Sequence, residues 1–178
     1  MTNILIVASA APPVLGLSNA VACFRDEGWE PSVIMTPTAS TWLPAGVLAE
    51  RASCTVRVHP RLPQEPKEPT SKPDAILVAP LTFNTLNKWA LGLSDNVALG
   101  VLNEALGSGT PLVVVTCMKS SLQRHPAHAR SVATLQTAGV QFLDPDPLTF
   151  RLGDGLLEFD WGRLVRAMPV MGAKPSTG

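Results

Sequence analysis

A chain of 178 residues with 46% hydrophobic positions and a mean hydropathy of +0.20 has enough apolar material for a sizeable core, and one domain over 1–170 is expected. Fourteen basic side chains balance fourteen acidic ones and only 16% of positions are charged, which excludes the long-range field that draws a protein to nucleic acid or to an anionic membrane. Cys23, Cys54 and Cys117 are odd in number, widely spaced and without a CxxC pair, so neither a disulfide framework nor a metal site is indicated.

The N-terminus runs from Met1-Thr2-Asn3 straight into Ile4-Leu5-Ile6-Val7, with no basic leader and no apolar run approaching the roughly 20 residues a bilayer requires. A cytoplasmic protein is the expectation. Residues 3 to 8 are apolar throughout and end in the small loop Ser9-Ala10-Ala11-Pro12-Pro13, as in a parallel strand buried on both faces. Val14, Leu17, Val21 and Phe24 then recur at helical spacing up to Gly28, which predicts a helix over 14–27. Ser32 to Met35 supplies a second strand, and the hydroxyl-rich Thr36-Pro37-Thr38-Ala39-Ser40-Thr41-Trp42-Leu43 predicts a turn capping a short helix.

From His59 to Pro73 five prolines in fifteen residues predict an extended loop. Asp74 to Ala79 is the next buried strand, followed by Pro80 to Thr85 and a helix containing Leu86, Ala90 and Leu93. A second helix, 96–106, is apolar almost all round and needs cover from the fold or from another subunit. Pro111 to Thr116 predicts a strand, Ala127 to Ala138 a helix closed by Gly139, and Val140 to Leu143 a last short strand; the tail 171–178 is expected to be disordered. Strands alternating with helices, every strand apolar, predict an α/β fold: a Rossmann-like, flavodoxin-like open parallel sheet with helices on both faces.

In such sheets ligands bind beyond the C-terminal strand ends, which singles out the loops after Ala8, Met35, Ala79 and Thr116. Ser9 with Ala10, and Thr38 with Ser40, sit where backbone N–H groups and a helix N-terminus would meet a phosphate; simple helix capping accounts for the same hydroxyls. Neither GxGxxG nor GxxxxGK[ST] occurs.

The third loop is the specific one. Pro80-Leu81-Thr82-Phe83-Asn84-Thr85 resembles the PASANT motif of the homo-oligomeric flavin-containing cysteine decarboxylases, and Trp89-Ala-Leu-Gly-Leu-Ser-Asp-Asn96 resembles that family's continuation. Ile4 to Ser9 and Met35 to Leu43 are similar to two further segments, with Trp42 at an aromatic position, so the resemblance covers residues 2 to 145 in order. It implies noncovalent FMN at a subunit interface of a homotrimer or higher homo-oligomer. It assigns Ser9, Ala10, Thr38, Ser40, Trp42, Pro80, Thr82, Phe83, Asn84, Thr85 and Cys117 to the cofactor, with Asn84 able to donate and accept and Trp42 either stacking on the ring system or filling the core.

Three departures leave the reaction open. The family's PxMNxxMW signature is replaced by Thr116-Cys117-Met118-Lys119-Ser120-Ser121-Leu122-Gln123, so a point cation, Lys119, stands where an asparagine binds substrate. The family's catalytic histidine has no counterpart eight residues before Asp74; His59 is the upstream candidate, while His125 and His128 follow the altered motif and lack a zinc signature. Arg151-Leu152-Gly153-Asp154-Gly155 keeps the frame of the family's C-terminal clamp without its cysteine, which argues against the pantothenate-pathway enzyme. The expectation is an FMN-dependent oxidative decarboxylase of a peptidyl C-terminal cysteine or similar small thiol, with Lys119, His59 and Asn84 as the catalytic candidates. The alternative is an FMN-binding oxidoreductase or a non-catalytic regulatory flavoprotein of the same fold.

Overall fold

A computed structural model of the chain describes residues 2–64 and 72–168. Six parallel strands form one sheet: β1 (Thr2–Ala8), β2 (Trp29–Met35), β3 (Val56–Arg57), β4 (Ala75–Leu81), β5 (Leu112–Thr116) and β6 (Gln141–Phe142), in the order β3-β2-β1-β4-β5-β6. The central strands are buried on both faces, which is why they read as unbroken apolar runs. Ile4, Ile6 and Ala8 of β1 face one core with α1 (Leu17–Asp26), α3 (Ala45–Ala52) and α8 (Trp161–Ala167). Leu5 and Val7 face the other, with α4 (Phe83–Ala90), α5 (Val97–Ser108) and α7 (Pro126–Thr137). Two short helices, α2 (Pro37–Trp42) and α6 (Ser120–Gln123), follow β2 and β5. Helices on both faces of a parallel sheet are the architecture that the apolar strand pattern dictated.

Several boundaries shift for physical reasons. The helix expected over 14–27 divides into a 3-10 turn, Pro12–Gly16, and α1, with Gly16 at the junction as the N-cap of α1. Two elements not expected from the sequence, α3 and β3, have no strong local signature. The C-terminus of α3 is closed by Arg25, whose guanidinium donates to the carbonyls of Ala52 and Ser53, the latter at 2.8 Å. That cap comes from a residue more than twenty positions away. Of the proline-rich stretch, 58–64 and 72–74 carry no helix or strand, while 65–71, like the tail after Met168, lie outside the described residues. The apolar helix α5 is covered by the sheet along Ala98, Leu99, Leu102 and Ala105, with Val97 and Val101 half-buried. Trp89 anchors α4 with its indole Nε1 buried and unpartnered among the described residues. Burying so large a ring is worth on the order of 4 kcal/mol, against about 1–3 kcal/mol for an unmade hydrogen bond, so the packing wins.

After β6 the chain forms an antiparallel hairpin, β7 (Thr149–Arg151) and β8 (Leu157–Phe159), turning at Gly155 with φ 85°, and then α8. Glu158 of this hairpin packs against Gly16 of the 3-10 turn. Its carboxylate accepts from the Phe159 N–H at 2.8 Å and the Trp161 indole N–H at 3.1 Å, and it lies so close to Gly16 that a Cβ there would sit 2.3 Å from Oε2. Gly16→Ala is therefore expected to destabilise by about 1–3 kcal/mol, and by less in a Glu158→Ala background, measured as a urea double-mutant cycle. Burial pushes the Glu158 carboxyl above its ordinary value. A raised carboxyl binds its proton more tightly folded than unfolded, so its contribution to stability is greatest below the ordinary glutamate range and is lost as pH rises through the raised value. Glu158→Gln should accordingly be more stable than wild type at neutral pH, with the difference closing on acidification in denaturant titrations across pH.

Candidate functional site

The strand order reverses between β1 and β4, so α1 and α4 leave on opposite faces and their loops diverge. A cavity of about 430 Å³ opens there, lined by Ser9 and Ala10 after β1, Thr36, Pro37 and Thr38 after β2, and Thr82, Asn84 and Thr85 after β4. Lys88, Asp95 and Asn96 complete its wall. Its size suits a cofactor or drug-sized molecule.

Ser9 joins the two strand ends. Its hydroxyl donates to the Pro80 carbonyl at 2.8 Å and accepts from the Thr82 N–H at 2.9 Å, while its own N–H donates to the same carbonyl at 2.9 Å. Proline at position 80 has no N–H for the ladder, and the β4–β5 register shifts between Val78 and Leu81, which turns this end of β4 toward β1. The Ser9 proton is thus committed to protein, and Ser9 acts as a strut more than as a free anion donor.

The other hydroxyls divide the same way. Thr36 caps α2, accepting from the Ala39 N–H at 3.3 Å, and the Ser40 hydroxyl donates to the Pro37 carbonyl at 2.7 Å. Thr82 donates to the Thr85 hydroxyl at 3.2 Å, which leaves the Thr85 proton uncommitted in a buried position. Thr38 and Asn84 are exposed, and their side chains make no hydrogen bond among the described residues. Thr82, the N-cap of α4, makes no side-chain cap, so the first-turn N–H groups of that helix are also available where Asn84 and Thr85 line the cavity. On the far wall Lys88 pairs with Asp95, whose other oxygen accepts from the Asn96 amide at 3.1 Å; Asn96 in turn caps α5 by accepting from the Leu99 N–H at 3.0 Å.

Of the sequence-predicted residues, Ser9, Ala10, Thr38, Thr82, Asn84 and Thr85 come together in this wall, and the others do not. Ser40 spends its hydroxyl on its own helix. Trp42, at the end of α2, is 48% exposed, which rules out the core-filling role. Pro80 is buried and acts through its carbonyl. Phe83 turns its ring to His125, centroids 5.4 Å apart, and away from the cavity lining. Cys117 is buried in the core, where desolvation raises its thiol to about 11 and keeps it protonated. Lys119 is exposed at the N-cap of α6. His59 is exposed beyond the edge strand β3, outside the cavity wall, because β2 separates β3 from β1. Among the described residues no three His, Cys, Asp or Glu side chains gather to hold a metal, and no helix is long and apolar enough to cross a membrane.

Sequence reasoning passed over Thr36, Pro37, Lys88, Asp95 and Asn96 as lining residues. A signal existed for Asn96, a side-chain cap immediately before an apolar run. Lys88 and Asp95 meet only because the chain reverses at Gly92, φ 72°, after α4.

Comparison with known proteins bears on this site. The family model described as Flavoprotein matches residues 2–166. A phosphopantothenoylcysteine decarboxylase of Oryza sativa is 33% identical over 96 residues, 54% of this chain and 40% of that protein. The coenzyme A biosynthesis bifunctional protein CoaBC of Thermococcus kodakarensis is 33% identical over 78 residues, 44% of this chain and 19% of its own length, so the chain spans a minor part of such relatives. Among solved structures, a PPC decarboxylase mutant complexed with pantothenoylaminoethenethiol superposes with TM-score 0.72 at 22% identity, covering 93% of this chain and 94% of that one. The peptidyl-cysteine decarboxylase EpiD superposes with TM-score 0.70 at 20% identity, covering 93% and 98%. These likenesses share the fold.

Removing the strut should show. Ser9→Ala leaves the Thr82 N–H without its acceptor and is expected to cost about 1–3 kcal/mol in urea unfolding. The shift of Cys117 from 9.0 to about 11 lowers its thiolate fraction at pH 8 by roughly a hundredfold. Cys117 should therefore be the last of the three cysteines to be alkylated in the native protein, and should react at the ordinary rate after unfolding, read by mass spectrometry.

Proposed function

Since the chain belongs to the Flavoprotein family, we propose that it binds FMN in the cavity between β1 and β4 and acts as an oxidative decarboxylase of a cysteine at the C-terminus of a peptide, or of a similar small thiol. The observation that carries the reading is the donor set of that cavity. Uncommitted groups at Thr38, Asn84, Thr85 and the first turn of α4 suit the polar edge and phosphate of a flavin, and the volume matches. Lys88, neutralised by Asp95, adds no net charge to this wall. The relatives that resemble the chain include FMN-dependent cysteine decarboxylases, among them TvaF from thioviridamide biosynthesis.

FMN, when bound, supplies a two-electron acceptor, so that the thiol substrate loses two hydrogens and CO₂ and leaves as an enethiol suited to a thioether macrocycle. The chain's own residues bind, orient and exclude water. Asn84 both donates and accepts at the cavity mouth, fixing one orientation by direction. Lys119 holds the substrate carboxylate by charge until it departs, a contact that needs no particular angle, which is how a lysine can stand where relatives have a directional amide. His59 has no part in this scheme, because its strand end lies on the wrong side of β2. Exposed Leu91 and Leu93, beside the Lys88–Asp95 pair, suit burial in a homotrimer, in which a neighbouring copy would close the open side of the cavity. One observation favours a second reading, an FMN-binding oxidoreductase: among the described residues no histidine lines the cavity.

Purified protein should be yellow, with an FMN spectrum that Asn84→Ala weakens by lowering flavin occupancy. Peptides ending in cysteine should lose the mass of formic acid and bleach the flavin under anaerobic conditions. Lys119→Gln is expected to raise KM roughly tenfold with a smaller effect on kcat. Flavin reduction by a nicotinamide donor with every peptide inert would instead establish the oxidoreductase.

A further inference from the structure

Between Glu104 and Asp144 the sequence contains Lys119, Arg124, His125, His128 and Arg130 and no acidic residue, in a chain whose charges otherwise balance. The fold brings the first three to the sheet edge that holds the cavity. Lys119 precedes α6, and Arg124 and His125 join α6 to α7. The His125 ring lies against Phe83, and the next two residues of that helix, Asn84 and Thr85, line the cavity. From there α7 runs alongside α4, with the Ser131 hydroxyl donating to Asn87 at 2.6 Å, so the beginning of α7 is its cavity end.

Lys119 and Arg124 are exposed, and neither has an ion pair or side-chain hydrogen bond among the described residues. His125 accepts the Ala127 N–H at its Nδ1, 3.0 Å away, which leaves Nε2–H as an outward donor. Lys119 and Arg124 flank a four-residue helix five positions apart, so their backbones are offset by about 7.5 Å along its axis at 1.5 Å per residue. That is about the spacing of alternate side chains on an extended peptide, roughly 6.6–7 Å. A single phosphate would call for cations converging on one point.

From this we infer that Lys119, Arg124 and His125 form a docking strip for an acidic peptide, in which Arg124 and His125 receive an Asp or Glu side chain just upstream of the C-terminal cysteine. The inference rests on the peptidyl-cysteine reading above and adds the substrate's chemistry to it. Each exposed pair contributes little alone, but charges of one sign on one side of a site discriminate between partners together.

The test uses the FMN-loaded protein and short fluorescent peptides ending in cysteine that differ only in carrying Glu or Gln two residues before it. Binding is read by anisotropy and turnover by mass loss, at about 50 and 250 mM salt. The Glu peptide should bind with a Kd, and show a KM, roughly two- to fivefold lower than the Gln peptide at low salt, with equal kcat. The gap should shrink at high salt, disappear in Arg124→Glu and persist in Arg130→Glu. Equal affinities at both salts would overturn the strip and leave decarboxylation standing. Absence of mass loss in every peptide would overturn the decarboxylase, and the anisotropy then decides the strip alone: an acid preference that Arg124→Glu abolishes supports it, and no preference overturns it. A phosphorylated small cysteine amide that outcompetes the Glu peptide would also overturn it.

Discussion

The reversal of strand order between β1 and β4 is the constraint on which the site depends. Two neighbouring parallel strands send their helices to opposite faces, and the space between the departing loops has to be held open without collapsing. Ser9 does this with three hydrogen bonds to the end of β4, two into the Pro80 carbonyl and one from the Thr82 N–H. Each is worth about 1 kcal/mol net, yet a buried group left without its partner costs more, so the arrangement is enforced chiefly by what its loss would leave unsatisfied. Pro80 has no N–H to offer the ladder, and the β4–β5 register shifts at this point.

The polar groups around the cavity fall into two sets. Ser9, Thr36, Ser40 and Asn96 spend their hydrogen bonds on the scaffold, and Thr38, Asn84, Thr85 and the first turn of α4 retain theirs. The first set makes the second rigid, which lowers the ordering cost of binding. Charge follows a similar division. Lys88 is neutralised inside the wall, whereas Lys119 and Arg124 are unpaired outside it, so the interior suits a cofactor held by directional bonds and the rim suits an anionic substrate held by charge. Cys117, expected at the cofactor, and His59, expected in catalysis, do not line the cavity, the one lying in the core and the other beyond the edge strand β3.

How much of this was legible in the sequence depended on the range of the interaction. The apolar runs of β1, β4 and β5 and the helical spacing of α1 are local patterns, and they gave the parallel α/β sheet and the loops to inspect. The pair α3 and β3 was not visible, since Arg25 supplies the cap of α3 across the chain and β3 has two residues. The hairpin β7–β8 was not visible either, since each of its strands has three residues, too few for an alternating pattern to register.

The sequence by itself determined the fold class, the family resemblance and four candidate strand-end loops, three of which share the cavity while the loop after Thr116 does not line it, because side-chain periodicity and motif residues are properties of neighbouring positions. Which hydroxyls are struts and which are donors was decided only by tertiary structure, since Ser9 and Thr82 are equivalent in composition and differ in what lies opposite them. The same holds for Lys88 with Asp95, for the exposure of Trp42 and for the placement of His125 against Phe83. Contacts between distant segments are set by how helices cross the sheet, and no local pattern records that.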